Sequence, residues 1–358
     1  HSFSRIRAAP TLSQLYGIQV LRAFAALMVA VHHVQSDAVF LAGRAGTAFS
    51  PSDILPWNAG VDLFFVISGF IMVHASSGLF GQTGSARLFL ARRIARIVPL
   101  YWAATTLFLL VMLASPALLN SGAPAAGQIL GSYLFWPLPN AVGEIQPVYS
   151  LGWTLNYEML FYALFGAALL LPARLVVPAS ALALFGLVAT QAAVPLPLPF
   201  GFWGQPIVLE FAGGMAIALL RNHGLRLEGR LRWLMVVAGV AILVAATASE
   251  WAQTPWGSLA FRGPAALLLV TAAACGRGQS APSALVRQLA RLGDASYALY
   301  LVHPFAMRAL RELFLRIAPG ATGFFVVAAL LAAVLAALAV YRWFEKPMTK
   351  LLRRLLRA

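Results

Sequence analysis

Ten stretches of apolar sequence, each close to 20 residues, constrain what this chain can fold into. They run near 14–34, 57–78, 97–115, 150–171, 175–194, 203–220, 232–250, 259–275, 294–313 and 321–343. About 20 apolar residues in a helix cross the bilayer core. In lipid every backbone polar group must be bonded within its own segment, so such stretches are helices. Composition agrees. Of 358 residues, 61% are hydrophobic and 10% are charged, where a soluble domain carries about a quarter.

An eleventh stretch, near 125–139, is short and broken by Pro137 and Pro139. Charge decides how it is read. Lysine and arginine concentrate in cytoplasmic loops. With ten spans and the N-terminus inside, 20 of the 26 basic residues fall on the cytoplasmic side or at the helix ends beside it. A spanning eleventh stretch would invert everything after it. The expected fold class is therefore all-α. It is a polytopic integral membrane protein with about ten transmembrane helices, one re-entrant or interfacial segment, and both termini cytoplasmic. The expected organisation is a cytoplasmic segment 1–13, a transmembrane domain 14–343 and a basic tail 344–358. In that tail leucines and basic residues alternate by face. It reads equally as a helix lying on anionic lipid and as a plain stop-transfer anchor. The net charge of +15 belongs to these loops, so membrane lipid is an expected partner and nucleic acid is not. Cys275 is the only cysteine, which excludes an intrachain disulfide and a cysteine metal cluster. No metal site is expected.

Ionisable groups inside such helices are costly and mark functional paths. The first span carries Arg22, His32 and His33. Arg22 and His33 are eleven residues apart, about 16 Å along a helix and on nearly the same face. The topology puts Arg22 in the inner half and His33 near the outer end. Asp62, near the outer end of the second span, matches His33 in depth. A carboxylate beside an imidazole orients it as a base; the other reading is a buried structural pair. Glu158 is a further outer-half group, and Glu210 lies within 203–220. His303 precedes Pro304 and can satisfy a carbonyl that this proline frees. His74 and His223 read as interfacial and Cys275 as an inert buried thiol. On the inner side Arg92, Arg93 and Arg96 cluster, with Arg93 and Arg96 on one helix face. Paired arginines bind phosphate bidentately. The line of basic groups leads from this cytoplasmic site, past Arg22, toward His33. It suits a molecule with a phosphorylated head and a long uncharged arm, such as coenzyme A.

Six pieces in this order resemble the membrane acyltransferase 3 family of bacterial O-acyltransferases. They are IQVLRAFAALMVAVHHV, GVDLFFVISGFIM, RRIARIVPLYW, SLGWTLNYEMLFY, SYALYLVHP and FEKP. WTLNYEMLFY and LEFAGGMAIA are closest in flavour to the exopolysaccharide acetyltransferases. The resemblance implies a multi-pass protein of the bacterial cytoplasmic (inner) membrane, with cytoplasmic acyl-CoA, most simply acetyl-CoA, as co-substrate. It implies an extracytoplasmic or lipid-linked carbohydrate as acceptor. The family's essential arginine and histidine map onto Arg22 and His33, and its cytoplasmic arginine pair onto Arg93 and Arg96.

The expected function is transmembrane O-acyl transfer. Catalysis is expected from His33, Asp62 and Arg22, donor binding from Arg92, Arg93 and Arg96, and acceptor binding from Glu158, Tyr157 and Trp153. His33 acts as a general base or as a covalent acyl carrier. The alternative is a transporter or flippase of a sugar or lipid-linked glycan, against which stands the lack of an inverted internal repeat. The other large family of membrane-bound acyltransferases also uses a histidine, but the position of His33 in the first span argues against it.

Overall fold

A computed structural model describes residues 15–114, 123–276 and 282–358. Arg5, Arg7 and Arg277, counted above as cytoplasmic, lie outside them, as does the segment 1–13. All ten apolar stretches are helical. They form α1 (Tyr16–Arg44), α2 (Gly60–Ser76), α3 (Ser85–Ala114), α5 (Trp153–Ala168), α6 (Val176–Ala193), α8 (Leu209–Asn222), α9 (Gly229–Thr247), α10 (Pro255–Ala274), α12 (Ser296–Ile317) and α13 (Thr322–Val340). Short helices lie between and after them: α4 (Ala126–Tyr133), α7 (Phe200–Trp203), α11 (Ala284–Asp294) and α14 (Lys346–Leu355). No strand occurs among the described residues.

Seven of these helices, with their flanking turns, are long and apolar enough to cross a membrane. They are α1, α2, α3, α6, α9, α10 and α13. The other three apolar stretches are polar or short. α5 and α8 have 16 and 14 residues. α12 is 22 residues long but carries Arg308, Arg311, Glu312 and Arg316 in its second half. α4, in the eleventh stretch, has eight residues, about 12 Å of helix against a hydrocarbon core of about 30 Å.

α2 is the hub. Of its spanning window 83% is buried, against 17% for α9 and 22% for the span containing α13. Its main partner is α8. The two backbones meet through reciprocal glycines. A methyl on Gly69 would fall 2.1 Å from the Phe211 carbonyl oxygen, and one on Gly214 would fall 2.0 Å from that of Val66. Small residues allow this approach where no hydrophobic effect drives helices together in lipid. α1 packs against α2, α10, α11, α12 and α13. At the other end of the chain a π-helical turn, Tyr341–Glu345, joins α13 to α14 and buries Glu345. Such turns tilt a helix locally and recur at functional sites.

Candidate active site

A cavity of about 770 Å³, counting its open mouth, lies between α1, α2, α3, α5 and α12. Arg22, Arg93 and Arg96 line it together. Two segments far apart in sequence, α1 with Arg22 and α3 with Arg93 and Arg96, therefore deliver their cations to one space. Arg22 and Arg93 are buried. Among the described residues none of the three has a carboxylate within ion-pair distance, whereas Arg311 pairs with Asp37 and with Glu312. Arg93 stands over the Phe89 ring, 5.5 Å from its centroid, and its Nε has no hydrogen-bond partner among the described residues. Buried cations without partners are costly, so this cluster fits an anionic ligand with several phosphate oxygens.

Glu158 also lines the cavity. Its Oε1 accepts from Ser68 Oγ at 3.1 Å and from the Tyr162 hydroxyl. Ser296, Tyr297, Thr154 and Tyr300 complete the polar part of the wall. The tyrosine hydroxyls face away from a ligand: Tyr297 donates to the Ile97 carbonyl at 2.7 Å and Tyr300 to that of Leu151 at 3.0 Å.

Tyr297 and Tyr300 point onward. Three residues further along α12, about 4.5 Å along the axis and on the same side, stands His303. Its Nδ1 bonds the Leu299 carbonyl at 2.9 Å, and its Nε2 lies 3.1 Å from Nδ1 of His33. His33 Nδ1 also lies 2.9 Å from the Val29 carbonyl. One assignment of protons satisfies all three contacts. Carbonyls only accept, so both Nδ1 atoms carry hydrogen. The neutral His303 then has its lone pair on Nε2, and the His33 Nδ1–H is shared between that lone pair and Val29. His33 is left with its own lone pair on Nε2, which makes no hydrogen bond among the described residues. That atom can take a proton or attack a carbonyl carbon.

Asp62 does not orient His33, contrary to the sequence expectation. It is buried on the other side of α2, where it faces Glu210 of α8, Ser258 and Arg262. Arg262 in turn donates to Gln253 Oε1 at 3.1 Å. Depth matched Asp62 to His33, but rotation about the α2 axis separates them. His303 takes the expected place, but its carbonyl contact is not the one anticipated: Pro304 frees the carbonyl of Tyr300, four residues back, whereas His303 Nδ1 bonds that of Leu299. His74, in the last turn of α2, is buried and stacked on Phe70. Cys275 is buried and free, as expected.

The remaining expected residues divide. Glu158, assigned to the acceptor, sits in the arginine-lined cavity instead. Tyr157 and Trp153 do not line it. Tyr157 is buried, donates to the Phe202 carbonyl at 2.8 Å and stacks on the Phe202 ring, with Trp153 edge-on beside it. Arg92 is also outside the cavity, in electrostatic reach of Arg353 on α14. The reading of local motifs missed Gln19, Asp294, Arg262 and Glu345. Arg262 and Glu345 carried a usable signal, since both are charges inside or at the end of an apolar stretch. Among the described residues no group of three or more histidine, cysteine or acidic side chains could hold a metal ion.

An apolar helical bundle, a cavity of unpaired arginines and an imidazole with a free lone pair define a membrane enzyme. Comparison with known proteins agrees. Residues 15–342 match the family described as an acyltransferase domain, and the chain belongs to that family. It is 37% identical over 309 residues to the exopolysaccharide production protein ExoZ of Rhizobium meliloti (strain 1021), covering 82% of this chain and 89% of that protein. It is 28% identical over 326 residues to the acyltransferase MdmB of Streptomyces mycarofaciens, covering 84% and 80%. No solved structure matches the chain significantly. The protein is thus an acyltransferase, and the transporter reading gives way.

Proposed function

We propose that this acyltransferase moves an acyl group, most simply acetyl, from cytoplasmic acyl-CoA to a hydroxyl of an extracytoplasmic or lipid-linked carbohydrate. It does so in the bacterial cytoplasmic membrane, with ten spans and both termini inside. The observation that supports the reading is a cavity lined by three arginines with no acidic partner among the described residues, whose wall includes Tyr297 and Tyr300 of α12. His303, which contacts His33, lies one turn further along that helix, outside the cavity lining. In this reading Arg93 and Arg96 hold the phosphates and Arg22 flanks the pantetheine arm. The carbohydrate acceptor is drawn from the role of ExoZ in exopolysaccharide production.

Transfer then follows simply. His33 Nε2 takes the proton of the acceptor hydroxyl as the oxygen attacks the thioester carbonyl. The new C–O bond forms, the C–S bond breaks, and the sulfur takes up the proton from His33 Nε2 and leaves toward the cytoplasm as the free thiol, which restores the lone pair. His303 Nε2 receives part of the His33 Nδ1–H, which holds the ring and stabilises the imidazolium.

The test is acetyl transfer in membranes given acetyl-CoA and a lipid-linked glycan. Thiol release should require both substrates, and His33→Ala should lower it by about 10²–10⁴-fold, the usual worth of a general base. Full activity in a folded His33→Ala protein ends the proposal. A flippase would release no thiol. An acyl group trapped on His33 with acyl-CoA alone would replace direct transfer by two steps through the same nitrogen.

A further inference from the structure

Arg22 is held by a relay that reaches outside the bundle. Its Nη1 donates to Gln19 Oε1 at 3.1 Å, one turn earlier on α1. Gln19 Nε2 donates to Asp294 Oδ1 at 2.7 Å. Asp294 ends α11, a helix with basic Arg287 and Arg291 exposed on one side and Ala290 and Gly293 buried on the other. α11 lies along the first turns of α1. The seat is tight, because a methyl on Gly293 would fall 1.9 Å from the Gln19 carbonyl oxygen.

The chemistry of the relay is directional. An amide has one donor end and one acceptor end. An aspartate only accepts, so it selects the NH₂ end of Gln19 and forces the Oε1 end toward Arg22. Without that choice the amide turns either way, and half of its orientations aim NH₂ at a guanidinium. Arg22 also feels the like charge of Arg96, opposed by Glu345 and Asp294. The relay thus supplies both a direction and a counter-charge to a guanidinium that lines the donor cavity.

We propose that Asp294 and Gln19 are positioning residues for Arg22, and that the seating of α11 on α1 aims this cation at the bound donor. The inference rests on the cavity being the acyl-CoA site. A simple staple between two helices makes a different forecast, since it acts on stability and leaves Arg22 independent.

The test is coenzyme A binding to the full chain in lipid nanodiscs, by titration and by thermal shift. Asp294→Asn should weaken binding about tenfold, the size of one hydrogen bond to a charged group. In an Arg22→Ala background the same change should do nothing further, because its target is gone. The exchange Gln19→Glu with Asp294→Asn should restore binding. The amide now at position 294 then donates to a carboxylate at position 19, which still accepts from Arg22. Additive effects of Asp294→Asn and Arg22→Ala, or a lowered melting temperature with unchanged binding, overturn the relay. No binding by the unmodified protein overturns the donor site itself, and the relay with it. Should Asp294→Asn fail to fold, Gln19→Ala on α1 carries the same cycle.

Discussion

Replacing His303 with alanine separates two roles that the imidazole pair combines. His33 Nδ1–H has two acceptors, the Val29 carbonyl at 2.9 Å and His303 Nε2 at 3.1 Å. In His303→Ala the first survives, so His33 keeps its proton on Nδ1 and its lone pair on Nε2. What is lost is one neutral hydrogen bond, worth about 0.5–1.5 kcal/mol. The expected fall in kcat is roughly two- to tenfold, since about 1.36 kcal/mol is tenfold in rate. That is far below the roughly 10²–10⁴ expected for losing the base itself. The Michaelis constant for acyl-CoA should not change, because the arginines are untouched. His303→Gln places an amide oxygen where it can accept from His33 and should recover most of the loss. The assay is acetyl transfer in membranes from labelled acetyl-CoA, scaled to folded protein. If His303→Ala is as inactive as His33→Ala, His303 carries the chemistry and the division of roles is wrong.

Other expectations follow from the same geometry. Arg93→Ala should weaken coenzyme A binding about tenfold or more, and unchanged affinity in a titration would remove Arg93 from the donor site. Replacing both Asp62 and Glu210 with alanine leaves Arg262 buried without a carboxylate, and should cost about 3–5 kcal/mol of stability in denaturant unfolding from mixed micelles; a fully stable double variant refutes that grouping. Gly214→Ala forces a methyl to within 2.0 Å of the Val66 carbonyl oxygen, so α2 and α8 must part, at about 1–3 kcal/mol. An unchanged melting temperature would show that the contact is not tight. Burial pushes the Asp294 carboxyl above the usual carboxylate range, against the pull of Arg22, Arg96 and Lys346. The folded state therefore keeps a proton the unfolded chain has lost. Its contribution favours folding at low pH and is lost as pH rises from about 4 through the raised value. Relative to Asp294→Asn, the unmodified protein should lose stability across that rise, and a pH-independent difference in melting temperature counts against it.

Much of the architecture was legible in the sequence because the bilayer allows so few solutions. Each apolar stretch became a helix. The cations at 22, 93 and 96 line one cavity, in keeping with the line of basic groups expected from the sequence. What could not be read was azimuth. α2 is apolar apart from Asp62, Ser68, His74 and Ser76, which fall on different sides, so its sequence has no polar stripe to say which side meets α1 and which meets α8. The close glycine contacts with α8 turn Asp62 toward Glu210 and Arg262. His303 was legible as a local device, with its ring on a carbonyl of its own helix, although that carbonyl is Leu299 and not the one Pro304 frees, and its second nitrogen answers to a residue 270 positions away. Gln19 and Asp294 were invisible for the same reason, since neither belongs to a charge pattern on its own helix.

Three long-range polar contacts tie α1 to α11 and α12. Gln19 meets Asp294, the last residue of α11, while His33 meets His303 and Asp37 meets Arg311, further along on α12. α1 and α12 run side by side in the same direction, and α1 is pinned at three heights. The interval from Arg22 to His33 is therefore a fixed ruler of about 16 Å. A molecule anchored at the cation end must supply its own reach to deliver its cargo at the imidazole end. Chain length in the carrier thus becomes a recognition element in its own right. An acyl thioester on a clipped carrier, reactive but too short, should be a poor donor even with every phosphate contact intact.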